Sequence, residues 1–265
     1  MKTVVITGSA RGFGYEMAKY FRKYNFNVVI SDINKKDIDS AKKNLLKEKS
    51  KGEVLSFVCD ITNEKDVIDL IKNVKKKFNI DIWINNAGVN QPNKMIWDLS
   101  SDEINRMIDI DLKGTITTTK LVMEEMIKQG SGAIYTVEGH GSNNALIPGL
   151  SIYGTAKRGV TYFVDALAKE AETNKLDIII GKLSPGIMIT DFIVNAFRDK
   201  KIELSNKEKK VYNILGDYPD VVAKYMVKKM IVNTNNNVRI SWLTKRKAAF
   251  RFMTSWIRRR DFFKK

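Results

Sequence analysis

Cysteine and histidine are almost missing from this chain: Cys59 and His140 are the only ones. A single cysteine excludes an internal disulfide, and one histidine beside it leaves no zinc-ligand set. Cys59 therefore reads as a small core residue. Long apolar runs are missing too, and none approaches the ~20 residues of a membrane span. The opening Met1-Lys2-Thr3-Val4-Val5-Ile6-Thr7-Gly8 is broken by glycine too soon for a secretory signal. These absences predict a cytoplasmic protein. With no repeats and no flexible linker, 265 residues are read as one large domain.

Positive charge, by contrast, is in excess, with a formal net charge of +16. Half of it lies in residues 241–265, where Lys245, Arg246, Lys247, Arg251, Arg258, Arg259, Arg260, Lys264 and Lys265 face Asp261 alone. The remaining lysines, such as Lys42, Lys43, Lys47 and Lys49, read as solvated helix faces.

Short β-branched runs alternate with segments of helical period. The strands expected are Thr3–Ile6, Asn27–Ser31, Val54–Val58, Ile80–Ile84, Ala133–Val137, Asp177–Lys182 and a weak Val238–Trp242. Helices are expected near 13–24, 35–49, 63–77, 101–129, 153–173 and 220–232. Nearly continuous apolar strands between helices predict an α/β fold: a doubly wound parallel sheet in three layers, αβα. Ligands of such sheets sit at the carboxyl ends of the strands. The stretch 191–219 breaks the alternation and reads as a helical cover over that end.

The first strand runs into Thr7-Gly8-Ser9-Ala10-Arg11-Gly12-Phe13-Gly14, and a helix follows. Glycines there allow a tight turn and bring backbone N–H groups to a pyrophosphate at the helix N-terminus. Further motifs follow in order: Asp60, Asn85-Asn86-Ala87-Gly88, Tyr153-x-x-x-Lys157 and Ser184-Pro185-Gly186. Over roughly residues 3–191 the set resembles the short-chain dehydrogenase/reductase family. The resemblance implies a Rossmann-like fold, a bound NAD(H) or NADP(H) and a redox reaction between a hydroxyl and a carbonyl. It carries over a cofactor set of Gly8, Ser9, Arg11, Gly12, Phe13, Gly14, Asp32, Asp60, Ile61, Asn86, Ala87, Gly88, Tyr153, Lys157, Pro185, Gly186 and Thr190. Asp32 ends the second strand, where a carboxylate accepts from ribose hydroxyls and repels a 2′-phosphate. Arg11 pulls the other way. NAD(H) is favoured, with NADP(H) the alternative.

Tyr153 and Lys157 share one helix face. A free phenol titrates near ~10, so a neighbouring ammonium, joined by the charge of an oxidised nicotinamide, is expected to bring it toward the working range. The family implies Tyr153 as general acid/base and Lys157 as its partner. Most members carry two serines straight after the fifth strand, one of them donating to the substrate oxygen; Glu138 and Gly139 stand there instead. The commonest family interval from Tyr153 falls on His140, but Ser142 is the nearby hydroxyl expected to substitute. Asp111 replaces the family's usual asparagine, and as an anion it is expected to raise the pKa of Lys157. The catalytic set is thus Ser142, Tyr153, Lys157 and Asp111.

The segments Glu138–Ser142, Tyr153–Arg158 and Leu183–Asp191, with Val238–Thr244 and the tail, resemble the chlorophyll(ide) b reductase branch. That branch has a basic residue where Asp32 stands. A bulky apolar alcohol or carbonyl substrate is expected, a steroid-type one included. Residues 1–244 form the dehydrogenase domain and 245–265 a basic-aromatic tail. The tail packs on the fold or a partner subunit in one reading and lies on an anionic membrane in the other. A homodimer or homotetramer is expected. Two rivals are a nucleic-acid binder, suggested by the charge, and a catalytically weak NAD-binding sensor or scaffold, suggested by Asp111 and the displaced serine. The Tyr153/Lys157 pair argues against both.

Overall fold

Valine and isoleucine dominate the strands because both of their faces are covered. All five residues of β1 (Thr3–Thr7) are buried. In the computed structural model, which describes residues 1–190 and 205–263, β1 lies in a parallel sheet of order β3-β2-β1-β4-β5-β6-β7. The other strands are β2 (Asn27–Asp32), β3 (Val54–Val58), β4 (Ile82–Asn85), β5 (Gly132–Val137), β6 (Ile178–Ser184) and β7 (Val238–Ser241). Side chains alternate across it. Val4 and Ile6 join one apolar cluster with Met17 and Phe21 of α1 (Gly12–Lys23), Ile38 of α2 (Lys35–Leu45) and Met226 of α8 (Pro219–Ile231). Val5 faces the other cluster, with Leu70 of α3 (Glu64–Lys75), Val122 of α5 (Thr115–Gln129) and Val164 of α6 (Ser151–Thr173). Full burial of one such side chain contributes roughly 1.5–3 kcal/mol, so two clusters make the sheet the middle of three layers.

Asn34 and Asn63 start α2 and α3 by accepting from Asp37 N–H and Lys65 N–H. Ser100 and Glu103 form a capping box at α4 (Ser101–Met107). Cys59 is buried, and burial beside Asp66 and Asp60 pushes its thiol up to about 12. β1 pairs with β2 on one side and β4 on the other, so chain direction across the sheet reverses between β1 and β4. A crevice opens at the carboxyl ends there, which is where such sheets take ligands.

One helix differs from the sequence expectation. The helix expected over 101–129 is interrupted: α4 passes into a π-helical stretch, Ile108–Gly114, before α5 begins. The π stretch is a short widening inside an otherwise continuous run of helix, and no residue type in 108–114 marks it in the sequence. Of the expected cover 191–219, residues 191–204 lie outside the described ones; 206–215 form helix α7 (Asn206–Leu215), started by a Ser205–Glu208 capping box. The tail begins as helix α9 (Lys245–Met253), capped by Thr244.

Glu138 ends up buried just after β5. Arg239 of β7 grips it with Nε at 2.6 Å and a second nitrogen at 2.8 Å, and Thr161 of α6 donates to it at 3.2 Å. Breaking a fully buried pair costs about 3–5 kcal/mol, and Arg239 is partly solvated, so Arg239→Ala should lower stability by about 2 kcal/mol. Urea unfolding checks this; a loss below about 0.5 kcal/mol, the level of a surface substitution, would show that water solvates the orphaned carboxylate.

Candidate active site

The loop after β1 is braced from β4. Thr7 Oγ1 accepts from the N–H groups of Asn86 and Ala87, both at 3.1 Å. Asn86 Nδ2 in turn donates to the carbonyls of Thr7 at 3.0 Å and Gly8 at 2.8 Å. The two loops touch so closely that a Cβ on Gly8, whose φ is +60°, would stand 2.6 Å from Ala87 Cα. A Cβ on Gly14 would meet Asn86 Nδ2 at 2.5 Å. Asn86, Ala87 and Gly14 are thus packed together by the crevice.

Arg11 is the N-cap of α1 in extended backbone, exposed and offering no side-chain acceptor to the first turn, which also has no acid. Uncapped N–H groups at a helix start suit a diphosphate. Gly12 has φ +61° with open space around it, so its backbone conformation is what requires glycine. Asp32, at the end of β2, is half-buried and accepts from Ala10 N–H at 3.3 Å and Asn34 N–H at 3.4 Å. Residues after the neighbouring strands complete this edge of the crevice. Asp60 accepts twice from Thr62, and Ile61 packs into the core.

Ser9 and Phe13 correct the sequence reading. Ser9 is fully buried, with its N–H donated to Ser31 and its hydroxyl to the Ile6 carbonyl at 2.6 Å. It holds β1 to β2 and offers nothing outward. The Phe13 ring lies in the core, so only its backbone belongs to the helix start. The remaining residues fit a dinucleotide: helix N–H groups for the diphosphate, Asp32 for a ribose, and an ammonium further along.

That ammonium is Lys157. Its Nζ is buried against Asp111 Oδ1 at 2.8 Å, and Asp111, fully buried in the π-helical stretch, also accepts from Val89 N–H at 3.3 Å. Gly88 makes room: a Cβ there would sit 2.5 Å from Asp111 Oδ1 and 3.3 Å from Lys157 Nζ. Burial alone would lower the lysine's pKa, but Asp111 and Tyr153 outweigh it and the pKa is raised. Tyr153 stands beside Lys157, its ring centre 5.5 Å from Nζ. Burial raises the phenol's pKa, Lys157 opposes this and Asp111 adds to it, so the net shift is upward. The sequence expectation of a phenol brought down is therefore not met by the lysine alone, because burial and Asp111 together exceed it.

Ser142 and His140 also fall differently from expectation. Ser142 is buried, accepting from Gly139 N–H at 3.4 Å and donating to the Lys157 carbonyl at 3.3 Å. Its hydroxyl is tied to backbone, and His140 is exposed. Gly139 is the residue that faces Tyr153; a Cβ there would overlap the phenol oxygen. After β6, Gly186 has φ +73° and packs on Leu243, next to Pro185, and Thr190 ends the described stretch.

One positioning residue escaped the sequence reading. Leu150 at the N-cap of α6 supplies no side-chain acceptor. Gln91, from the loop after β4, accepts from Tyr153 N–H at 2.8 Å and donates to the Gly149 carbonyl at 2.7 Å. It caps the helix from across the crevice, a long-range contact that carries no local signal.

The short chain dehydrogenase family model matches residues 2–201. The chain belongs to the short-chain dehydrogenase family. The chain shares that family with proteins named reductases and oxidoreductases. It is 29% identical, over 99% of its length, to a probable chlorophyll(ide) b reductase of Arabidopsis thaliana, of which it covers 54%; the chain spans about half the length of that relative. It is 32% identical over 91% of its length to a chlorophyll(ide) b reductase of Oryza sativa subsp. japonica, covering 70% of it. Among solved structures, levodione reductase superposes with a TM-score of 0.81 at 23% identity, over 94% of this chain and 98% of that one. An actinorhodin polyketide ketoreductase with NADPH gives 0.80 at 20% identity, over 91% and 95%.

Asp111 raises the pKa of both Lys157 and Tyr153, so removing its charge lowers both. In the alcohol-oxidising direction, where a phenolate accepts the proton, Asp111→Asn should move the rise of kcat with pH to lower pH. A pH profile for the two proteins checks this; an unchanged or higher midpoint contradicts it.

Proposed function

We propose that this oxidoreductase interconverts an alcohol and a ketone or aldehyde on a bulky apolar molecule. The observation that carries the reading is the character of the loops at the carboxyl end of the sheet. After β4 they expose Met95, Ile96 and Trp97, and after β5 Leu146 and Ile147, the leucine 93% accessible. Apolar groups left in water around a crevice favour an apolar partner. The likeness to chlorophyll(ide) b reductases agrees with a large, water-shy substrate, and a steroid-type ring system satisfies the same loops.

In this reading the α1 N-terminus, Asp32 and Lys157 would hold a nicotinamide cofactor, which would supply or take up a hydride. Tyr153 exchanges the proton with the substrate oxygen. Lys157, kept cationic by Asp111, stabilises the phenolate form. The Ser142 hydroxyl is bonded to backbone, so in this reading polarising the substrate oxygen falls to Tyr153 itself. Gly139 there leaves extra width for substrate. The same feature supports a second reading, a slow or inactive NAD-binding sensor. Tyr153→Phe removes one hydroxyl, so cofactor affinity should survive while turnover falls about 10²–10⁴-fold. A panel of apolar ketones and alcohols followed by cofactor absorbance checks this. Equal turnover by mutant and parent removes Tyr153 from the mechanism, and no turnover by either favours the sensor.

NAD(H) remains the favoured cofactor, although the ketoreductase neighbour carries NADPH. The support is Asp32, held by two backbone N–H groups where a 2′-phosphate would lie, against an Arg11 without a cap contact. Titration should give tighter binding of NADH than NADPH, and Asp32→Ala should narrow the gap. Tighter NADPH binding by the parent protein would assign the choice to Arg11. As in many oxidoreductases of this size, we expect a homodimer or homotetramer.

A further inference from the structure

A surface helix of a soluble protein ordinarily buries its apolar stripe and shows its charges to water. Helix α9 and the turn after it do the reverse. Arg251 points inward and pairs with Asp217 at 2.7 Å, while Lys247 lies over the Trp242 ring. Outward stand Phe250, Phe252, Met253, Trp256 and Ile257, with Met253 72%, Trp256 73% and Ile257 65% accessible. The inversion is held from both ends. Arg260 bonds Asp217 at 3.0 Å and the Gly216 carbonyl at 3.0 Å, and Phe262 N–H donates to Asn213 at 2.9 Å. Phe262 and Phe263 pack edge-on against Tyr218 and Tyr212. The apolar face is therefore built on a docked segment.

Cations border it. Lys245, Arg246, Arg258 and Arg259 are exposed around the apolar five, and no acid occurs between Asp220 and Asp261. A cleft of about 620 Å³ between α7 and the tail adds Lys210 beside Arg258 and Arg259. Two candidates could cover an apolar patch: a second copy of the chain or a lipid surface. Pairing the patch with itself would set these arginines and lysines against their own copies, with Asp261 the one acid lining the same cleft. A bilayer with anionic headgroups offers hydrocarbon and negative charge at one boundary.

We propose that α9 and residues 254–259 form a preassembled docking face for an anionic lipid bilayer, Phe252, Met253, Trp256 and Ile257 entering the acyl boundary and the cations meeting headgroup phosphates and carboxylates. α9 follows the parallel strand β7, so the face lies at the carboxyl end of the sheet, the end where the apolar loops of the crevice also open. A water-shy substrate dissolved in lipid would meet the crevice from that side.

Vesicles of phosphatidylcholine with and without phosphatidylserine provide the test, read by co-sedimentation of the full chain and by Trp fluorescence. Binding is expected only with phosphatidylserine, with a blue shift and with weakening as salt rises. Phe252→Ser with Trp256→Ser should abolish it. Arg258→Gln with Arg259→Gln should weaken it about 10–30-fold, since a basic residue at such a surface contributes about 1 kcal/mol. Both substitution pairs lie on the exposed face, so circular dichroism and turnover of a soluble substrate should match the parent; that turnover also reports on the redox reading separately. No binding to phosphatidylserine vesicles at low salt overturns the proposal. So does binding that survives loss of the apolar pair and yields to inorganic phosphate, which would leave a basic patch only. A change of oligomeric state in the apolar variant, in place of a change in vesicle binding, would assign the face to a second copy.

Discussion

Lys157 holds a positive charge away from water, and Asp111 is what makes that tolerable. An ammonium buried alone would give up its proton; beside a carboxylate at 2.8 Å it keeps it. The demands then spread outward. The carboxylate has to arrive from a helix on the far side of the crevice, and the π-helical stretch 108–114 turns it inward. Its second oxygen needs a donor, which Val89 N–H provides. The loop carrying Val89 has to pass close, and Gly88 has no side chain to prevent it. One ion pair thereby ties β4, the α4–α5 connection and α6 into a single arrangement around Tyr153.

The same loop after β4 fixes the height of the catalytic helix. Gln91 replaces the missing N-cap of α6 and holds Tyr153 by its backbone, while Gly141 lets the loop after β5 lie against Gly154. Where relatives of this family carry serines, Glu138 turns away from the crevice to anchor β7 through Arg239, and Gly139 leaves space over the phenol. The substitution at 138 thus acts on the sheet edge, and the one at 139 acts on the site. Tyr153 is left with burial as its dominant influence, which keeps the phenol protonated and so ready to donate.

The strands and most helices were legible because their signals are local: apolar runs with both faces covered, glycines at a strand-to-helix turn, and Y-x-x-x-K on one helix face. Val54–Val58 coincides with β3, and the edges of the others shift by one or two residues. What escaped is what depends on distant partners. The π-helical stretch carries no residue that marks it off from a plain helix in the sequence. Gln91 looks like any loop amide until α6 is seen to lack a cap. Ser142 looked like the nearest hydroxyl in sequence, but the loop folds it back onto the Lys157 carbonyl. Ser9 sits in a glycine-rich phosphate motif yet spends its N–H on Ser31 of β2 and its hydroxyl on the Ile6 carbonyl of β1.

The tail shows the same limit from the other direction. Composition alone marked 245–265 as basic and aromatic, and helical spacing left two readings of its apolar side, packed on the fold or a partner and laid on an anionic membrane. Asp217 governs which side of the helix faces the fold. It is nearly buried, and its carboxylate takes Arg251, Arg260 and the Trp242 indole N–H. Lys247, left without a share of it, is held down to about 8 by burial and by the repulsion of Arg251 and Arg260, with Asp217 only partly offsetting them. Two cations drawn to one buried acid rotate the helix so that its aromatic side has nowhere to go but outward. The backbone of Asp217 meanwhile pairs with Ile187 and Ile189 at 3.1 and 2.9 Å, in the loop that follows β6. The residue that orients the tail therefore also borders the crevice, and the outward face and the loop beside the cofactor end share one anchor.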